Sequence, residues 1–266
     1  MIYAAYDNIL SGMLQDTNIE ISDKEYNRDN NCTQNPGGIC TLLLHKITSR
    51  DLFGQMSDER GFTVVAELGV QRGFYTDSYL YTAKKNKKYY LVDTWEQRKN
   101  YSDAANVDNE EQNIRYNHAM KRLAPYRKRT ELVVLRNFTT DAALSVPDNS
   151  IDFIYVDARH DYCGVIEDLE SWFPKLKLGG IMAGDDYLTS KEHLYIKKGI
   201  FDPTDDWSLC SNGTRNLGAV KGAVLDFASK WKLKVYTTWK NGVRNDKRQW
   251  PQWIYSAKST DNLLLG

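Results

Sequence analysis

The stretch VVAELGVQRGFYT, residues 64–76, places a short apolar run directly before two glycines and a helical segment. In a doubly wound sheet, ligands bind beyond the carboxyl ends of the strands, where glycines such as Gly69 and Gly73 let the backbone approach them closely. The turn lacks the first glycine of the pyrophosphate-binding pattern G-x-G-x-x-G, and Glu67 would repel a pyrophosphate. The stretch therefore favours a nucleoside ligand that carries positive charge. A tight strand-to-helix turn without a ligand has the same pattern.

Outward from this turn, short apolar runs alternate with helical segments. The run at 63–68 is followed by runs at 89–93, 131–135, 151–157, 180–185, 233–239 and 252–258. Helical segments lie between them at 74–85, 109–126, 139–146, 163–176 and 219–231. Strands that alternate with helices are typical of βαβ units and a parallel sheet. We therefore predict an α/β, Rossmann-like, doubly wound sheet of seven strands, mostly parallel, whose last two strands form an antiparallel edge pair.

The segment before residue 59 has a different organisation. Apolar residues at roughly helical spacing predict helices over residues 1–25 and 39–53. We predict that residues 1–58 form a helical cap or lid and that residues 59–266 form one nucleoside-binding domain. A long stretch at about 188–216 interrupts the alternation, and we expect it to be a substrate-loop insertion.

Composition disfavours several classes of protein. The 266 residues include 35 Lys and Arg against 35 Asp and Glu, so the net charge indicates neither nucleic acid nor an anionic membrane as a partner. No apolar stretch reaches the ~18 residues of a membrane span, and the first residues lack the pattern of a signal peptide. We expect a soluble cytoplasmic protein whose four cysteines are free thiols, with a Cys32–Cys40 bridge as the alternative.

An acid at the end of the second apolar run strengthens the nucleoside interpretation. Asp93 follows the glycine turn by about twenty residues, where an acid accepts hydrogen bonds from the hydroxyls of a ribose. Together with Glu67, it favours S-adenosylmethionine over a dinucleotide, because the amino-acid and sulfonium groups of that cofactor are positively charged.

Five motifs together resemble a known family. They are ELGVQRG (67–73), VDTWE (92–96), IDFIYVDARHDY (151–162), DLESWFPKLKLGGIMAGDDY (168–187) and GAVKGAVLDFA (218–228). The chain from about residue 60 to residue 258 resembles class I S-adenosylmethionine-dependent methyltransferases. More narrowly, it is similar to the macrocin and mycinamicin sugar O-methyltransferases and their aminocoumarin relatives. The resemblance implies a seven-stranded sheet whose last strand is antiparallel, a small-molecule or glycan acceptor, and a homo-oligomer assembled through the N-terminal elements.

The resemblance also implies which residues bind the cofactor. S-adenosylmethionine would lie over the turn that contains Glu67, Gly69 and Gly73, with its ribose on Asp93. The other cofactor-binding residues that it implies are Thr94, Trp95, Thr139 and Asp157.

A divalent cation, Mg²⁺ or another, gives a physical reason for acids at the ends of two strands. In the resembling family, such an ion is held at the positions of Asp157, Asp185 and Asp186. A bound metal ion lowers the pKa of a hydroxyl that it ligates, and carboxylates are the ligands that Mg²⁺ prefers. The cation would also keep adjacent, mutually repelling carboxylates ionised. The alternative is that these acids only cap a turn and the strand ends.

One position departs from the family pattern. The relatives have D-G-D-H-x-Y after the fourth strand, with the second acid as the proposed base, whereas this chain has Arg159 there. Arginine stays protonated near neutral pH, so we predict that His160 is the catalytic base beside Asp157, with Asp161 as a weaker candidate. Alternatively, the metal ion alone activates the hydroxyl, and His160 only holds the loop. The acceptor-binding residues that we expect are Arg159, Tyr101 and Tyr187.

These observations predict a Mg²⁺-dependent O-methyltransferase that uses S-adenosylmethionine and acts on a hydroxyl of a sugar or glycoside. A catechol-like phenol is the alternative acceptor, because the same metal chemistry serves it. A catalytically silent nucleoside-binding module is the alternative outside the enzymes, motivated by Arg159. A dinucleotide-dependent oxidoreductase is disfavoured by Glu67 and by the missing glycine.

Overall fold

The computed structural model describes residues 47–197, 205–238, 250–255 and 258–259. The helix predicted over residues 1–25 and most of the helix predicted over 39–53 lie outside these residues. Where the second helix is predicted to end, the chain forms a 3-10 turn at Arg50–Leu52, and a helix begins at Phe53. The prediction that the second helix continues to residue 53 is therefore wrong.

The described residues form a single sheet with helices on both faces. The strands are β1 (Val64–Leu68), β2 (Lys88–Asp93), β3 (Glu131–Arg136), β4 (Ile151–Val156), β5 (Leu176–Gly184), β6 (Val235–Thr237) and β7 (Trp253–Tyr255). The helices are α1 (Phe53–Arg60), α2 (Phe74–Thr82), α3 (Asn109–Leu123), α4 (Thr139–Leu144), α5 (Tyr162–Trp172), α6 (Ser190–Ile196) and α7 (Ala219–Trp231). Short 3-10 turns at Ala124–Lys128 and Phe173–Lys175 follow α3 and α5.

The sheet has seven strands in the order β3-β2-β1-β4-β5-β7-β6. Strands β1 to β5 are parallel, and β7 pairs antiparallel with both β5 and β6. The predicted doubly wound sheet with an antiparallel last strand is confirmed. Of the last two strands, only β6 lies at an edge, because β7 is inserted between β5 and β6, with Trp253, Ile254 and Tyr255 fully buried.

Strand order reverses between β1 and β4, which lie side by side although two strands separate them in the chain. At such a switch point, the loops that leave the carboxyl ends of the two strands diverge and open a crevice for a ligand. The glycine turn leaves β1 here and Asp157 leaves β4, so the fold places both at the mouth of this crevice.

The core has two layers, one on each face of the sheet. Successive residues of β4 point to opposite faces: Ile154 and Val156 pack with α5 and α7, and Phe153 and Tyr155 pack with α1 and α2. Aromatic residues fill the second layer, where the Tyr155 ring stacks on Tyr75 at 3.8 Å between ring centres. Much of the high aromatic content of the chain therefore belongs to the core.

The predicted helix over 163–176 ends four residues early. Helix α5 ends at Trp172, and a 3-10 turn containing Pro174 leads directly into β5 at Leu176. Proline has no backbone N–H to continue a helix and restricts the residue before it. The strand predicted at 180–185 is consequently longer than its apolar run.

The expectation of free thiols is wrong for two of the four cysteines. Cys163, in the first turn of α5, forms a disulfide with Cys210, which lies in the insertion. The two are 47 residues apart in the chain, and only the folded structure brings them together. Cys32 and Cys40 lie outside the described residues. Within those residues, no helix has the length and hydropathy that a membrane span needs.

We expect Cys163→Ser to lower the free energy of unfolding by about 2–4 kcal/mol, because the disulfide closes a long loop of the unfolded chain. Urea denaturation without reductant measures the change. Cys210→Ser and the double variant should show the same loss, since each removes the same bond. A double variant as stable as the oxidised wild type would contradict the bridge.

Candidate active site

The turn after β1 requires a glycine at position 69. Gly69 has φ +89°, and a Cβ atom there would lie 1.8 Å from the carbonyl oxygen of Asp157. Its N–H donates to the carbonyl of Val92 at 2.8 Å. The close approach fixes the ends of β1, β2 and β4 against one another at the crevice. Gly73 instead begins α2, and its Cβ position faces Ala119 of α3 at 3.3 Å.

A cavity of about 260 Å³ opens above this turn. The predicted site residues that line it are Glu67, Gly69, Asp93, Thr94, Tyr101, Thr139, Asp157, Arg159 and His160. The predicted residues outside its lining are Gly73, Trp95, Asp185, Asp186 and Tyr187. The cavity therefore connects the glycine turn to the loop after β4.

Glu67 lies beneath the cavity and is 1% exposed. Its Oε2 atom accepts hydrogen bonds from the hydroxyls of Thr76 at 2.5 Å and Tyr89 at 2.7 Å. Burial raises the pKa of Glu67 to about 8, although the two hydrogen bonds oppose this. The side chain is therefore protonated at neutral pH unless a cationic ligand lies nearby, in which case the carboxylate is favoured.

A raised carboxyl pKa predicts how stability depends on pH. Between the ordinary pKa near 4.5 and about 8, folded Glu67 retains a proton that the unfolded chain releases. Stability therefore falls as the pH rises through this interval. We expect the ligand-free wild type to lose roughly 2–4 kcal/mol more than Glu67→Gln between pH 5 and pH 9. Urea denaturation at the two pH values measures this, and equal losses in the two proteins would refute the assignment.

Asp93 is fixed at the edge of the cavity by two backbone amides. Its Oδ2 atom accepts from the N–H of Gln71, and its Oδ1 atom accepts from the N–H of Trp95, each at 2.8 Å. Each carboxylate oxygen keeps further lone pairs that can accept from the hydroxyls of a ribose. Trp95 itself is fully buried, and its indole N–H donates to the carbonyl of Gln71 at 2.8 Å. Trp95 thus stabilises the glycine turn rather than facing the cavity.

Thr94 and Thr139 face the cavity with side chains that already have partners. The Thr94 hydroxyl pairs weakly with the backbone of Glu96, at 3.3 and 3.4 Å. The Thr139 hydroxyl donates to Asp168, and its carbonyl accepts from the indole of Trp172 at 2.9 Å. Thr139 thus joins the start of α4 to α5 behind the cavity.

Three acids converge where β4 and β5 end side by side, because Val156 pairs with Gly184 and the acids follow these residues. Asp185 is buried, and its Oδ2 atom accepts from Arg50 at 2.6 Å. Its Oδ1 atom accepts from the side chain of Gln252 at 2.7 Å and from the N–H of Asp186 at 3.0 Å. Burial, together with the neighbouring acids, raises the pKa of Asp185 to about 7.

His160 lies between these acids and a fourth carboxylate. Its Nε2 atom is 3.0 Å from Oδ2 of Asp186 and 3.6 Å from Oδ1 of Asp157. Its Nδ1 atom is 2.7 Å from Oδ2 of Asp103, which also accepts from the indole of Trp207 at 3.1 Å. Burial would lower the pKa of His160, but Tyr101, Asp103 and Asp186 raise it well above its ordinary value. The surrounding carboxylates therefore favour a positive charge at this position, either as a proton on Nε2 or as a cation bound there.

Arg159 is occupied by its own loop. Its guanidinium donates to both oxygens of Asp161, at 2.8 and 2.7 Å, and to Glu167 at 2.6 Å. Asp161 also caps α5 by accepting from the N–H of Gly164 at 3.0 Å. Arg159 thus holds the loop after β4 against α5. It does so at the position where the resembling sugar O-methyltransferases have an acid. Two tyrosines are expected at the acceptor. Tyr101 lines the cavity and accepts from the N–H of His160 at 3.1 Å. Tyr187 is buried and does not line the cavity.

Sequence reasoning missed several residues that shape the site. Arg50 comes from the segment before α1, Asp103 from the long loop after β2, and Gln252 from the residue before β7. The length of the loop at 96–112 was a signal of functional importance, because compact domains seldom contain such loops without one. Nothing in the local sequence points to Arg50 or Gln252.

Part of the chain resembles a methyltransferase domain. Residues 66–187 match the profile of a family described as a methyltransferase domain. No curated protein sequence matches the chain. The family match runs from within β1 to just beyond the end of β5, and it includes every residue that lines the cavity except Arg50.

Solved O-methyltransferase structures share the fold. A putative caffeoyl-CoA O-methyltransferase from Staphylococcus aureus is 12% identical, with TM-score 0.51 over 79% of this chain and 82% of that one. The O-methyltransferase TomG of tomaymycin synthesis from Streptomyces achromogenes, in complex with S-adenosylmethionine, is 12% identical, with TM-score 0.52 over 79% of each chain. An O-methyltransferase from Bacillus cereus, in complex with S-adenosylhomocysteine, is 12% identical, with TM-score 0.51 over 94% and 97%. At such identity, these likenesses establish the fold.

Proposed function

We propose that the protein is an S-adenosylmethionine-dependent O-methyltransferase that uses a divalent cation to methylate a hydroxyl of a sugar or glycoside. One observation carries the proposal: a single cavity joins the glycine turn and Asp93 to Asp157 and His160 beside the acid cluster. The methyltransferase-domain match and the O-methyltransferase relatives support the reaction class. The sugar acceptor is supported by the resemblance of the five motifs.

The cavity residues fit an S-adenosyl ligand. Gly69 lines the cavity, and the close packing of its backbone against Asp157 fixes the turn as a surface on which a ligand can lie. Asp93, held by backbone amides, is oriented to accept from ribose hydroxyls, and neutral Glu67 beneath the turn can ionise when a positive charge approaches.

The acid cluster fits a divalent cation. Oδ or Nε2 atoms of Asp157, His160 and Asp186 all lie within 4.8 Å of one another. The His160 Nε2 atom is buried and has no hydrogen bond of acceptable geometry. Oxygen and imidazole donors grouped in this way suit a divalent metal ion. When bound, a divalent cation would lower the pKa of an acceptor hydroxyl and stabilise its developing negative charge, while S-adenosylmethionine supplies the methyl group.

The chain's own residues orient the reactants. Asp157 and His160 belong both to the cavity lining and to the group of possible metal ligands, so they lie where the methyl donor and the acceptor hydroxyl would meet. On the side of the loop after β2, Tyr101 accepts from the N–H of His160, and the buried Trp207 of the insertion donates to Asp103. These contacts hold the His160 loop in place beside the reacting centre.

Methyl transfer from labelled S-adenosylmethionine to a panel of glycosides and catechols tests the proposal. We expect turnover on a glycoside that is lost with EDTA and restored by a divalent cation. Turnover only on catechols would favour the phenol acceptor. Binding of S-adenosylhomocysteine without turnover on any acceptor would favour a silent module. Thermal stabilisation by NAD but not by S-adenosylhomocysteine would overturn the cofactor assignment.

A further inference from the structure

Asp185 is poorly available to a metal ion. Each of its oxygens accepts a short hydrogen bond, from Arg50 at 2.6 Å and from Gln252 at 2.7 Å. The Arg50 guanidinium is also 4.0 Å from Asp157. A second positive charge at that position would be repelled. The third ligand predicted from sequence is therefore already engaged.

His160 offers a donor on the opposite side of the cluster. In an octahedral site with ligands about 2.1 Å from the metal, neighbouring donor atoms are about 3.0 Å apart. The Nε2 atom lies 3.0 Å from Oδ2 of Asp186 and 3.6 Å from Oδ1 of Asp157. The oxygens of Asp157 and Asp186 lie within 4.8 Å of each other, so drawing the two carboxylates together around a bound ion would place the three atoms on one face of such an octahedron. The site needs no new rotamer of His160.

A second carboxylate orients the ring. Asp103 accepts at Nδ1 of His160 at 2.7 Å, and its own position is fixed by Trp207 at 3.1 Å and by the N–H of Ala105 at 2.7 Å. A carboxylate at one ring nitrogen fixes the tautomer that leaves the other nitrogen free to bind a metal, and it makes that nitrogen more basic. The Nε2 atom is buried without a hydrogen bond. The ring is thus arranged as metal-binding histidines are.

We propose that His160 is a direct metal ligand that completes a site with Asp157 and Asp186, and that this site prefers Mn²⁺, Fe²⁺ or Co²⁺ over Mg²⁺. Imidazole suits first-row transition metals, whereas Mg²⁺ strongly prefers oxygen ligands. The assignment replaces the role of His160 as a base, because both ring nitrogens are used. It rests on the proposed function only in treating the acid cluster as a cation site.

Mn²⁺ binding to metal-free protein, followed by electron paramagnetic resonance, tests the ligand set. Pulsed spectra of the wild type should show ¹⁴N coupling from a bound imidazole, and Mg²⁺ should compete at least about tenfold more weakly than Mn²⁺. His160→Gln should lose the coupling and weaken Mn²⁺ binding by about 100-fold or more, since even changes to residues behind a ligand cost 10–100-fold. Circular dichroism establishes that the variant is folded.

Two variants serve as controls. His118→Gln changes an exposed histidine of α3 and should leave both the coupling and the affinity unchanged. Asp185→Asn should keep the coupling and reduce affinity much less than His160→Gln. A wild-type spectrum without ¹⁴N coupling, equal competition by Mg²⁺, or an affinity lost in Asp185→Asn but kept in His160→Gln would each overturn the proposal. If the ¹⁴N coupling is seen but no methyl transfer occurs, the metal-ligand proposal is kept and the proposed function fails.

Discussion

Asp186→Asn lowers kcat/KM for methyl transfer by at least about 1000-fold, an expected loss of about 4 kcal/mol of transition-state stabilisation. Asp186 provides a carboxylate oxygen to the proposed cation cluster, and an amide there carries no charge to hold the ion. The residue has φ +60°, a conformation that asparagine tolerates well, so the backbone should be undisturbed. Steady-state kinetics with labelled cofactor measures the loss.

Binding of S-adenosylhomocysteine separates this effect from misfolding. Asp186 does not line the cavity, so the affinity of the variant for this ligand should remain within about threefold of wild type. Asp226→Asn is the matched control, because Asp226 is an exposed acid on α7 that accepts from Tyr162 at 2.7 Å. Wild-type turnover in Asp186→Asn would remove the acid cluster from the mechanism.

Gly69→Ala has the largest expected effect on folding and cofactor binding. The added Cβ atom would lie 1.8 Å from the Asp157 carbonyl oxygen, and alanine is strained at φ +89°. Relieving the clash moves the end of β1 away from β4, and we expect a loss of about 3–5 kcal/mol in the free energy of unfolding. Urea denaturation and titration with S-adenosylhomocysteine measure the two consequences.

Gly213→Ala separates the clash from the backbone strain. Gly213 has φ +86°, nearly the value at Gly69, but nothing lies within 4 Å of its Cβ position. It should therefore cost only the strain of the left-handed conformation, about 1 kcal/mol. If the two variants lose the same free energy of unfolding, the contact between the turn and Asp157 does not contribute to stability.

Local sequence predicts the sheet because each central strand is buried on both faces. Such strands are nearly continuous apolar runs, as in β4, where Phe153, Ile154, Tyr155 and Val156 are all buried. The glycines after β1 and the proline after α5 mark their turns by their own backbone chemistry. The start of β5 was missed because Leu176 belongs equally well to a helical apolar pattern.

The arrangement of the site depends on contacts that local sequence does not encode. Placing acids at the ends of adjacent strands follows from the topology, so the convergence of Asp157, Asp185 and Asp186 could be predicted. Which of them is available depends on Arg50 and Gln252, which lie 135 and 67 residues away from Asp185 in the chain. The orientation of His160 depends likewise on Asp103, 57 residues earlier. Composition and periodicity carry no information about such pairings.

A crystal structure grown with S-adenosylhomocysteine and Mn²⁺, with diffraction recorded at the manganese absorption edge, tests the central claim most directly. The predicted result has the ribose hydroxyls on Asp93, the ligand over Gly69, and an anomalous peak bonded to Asp157 and Asp186 at the sulfur end of the ligand. A ligand bound outside this cavity, or an acid cluster without a peak at saturating Mn²⁺, would contradict the account.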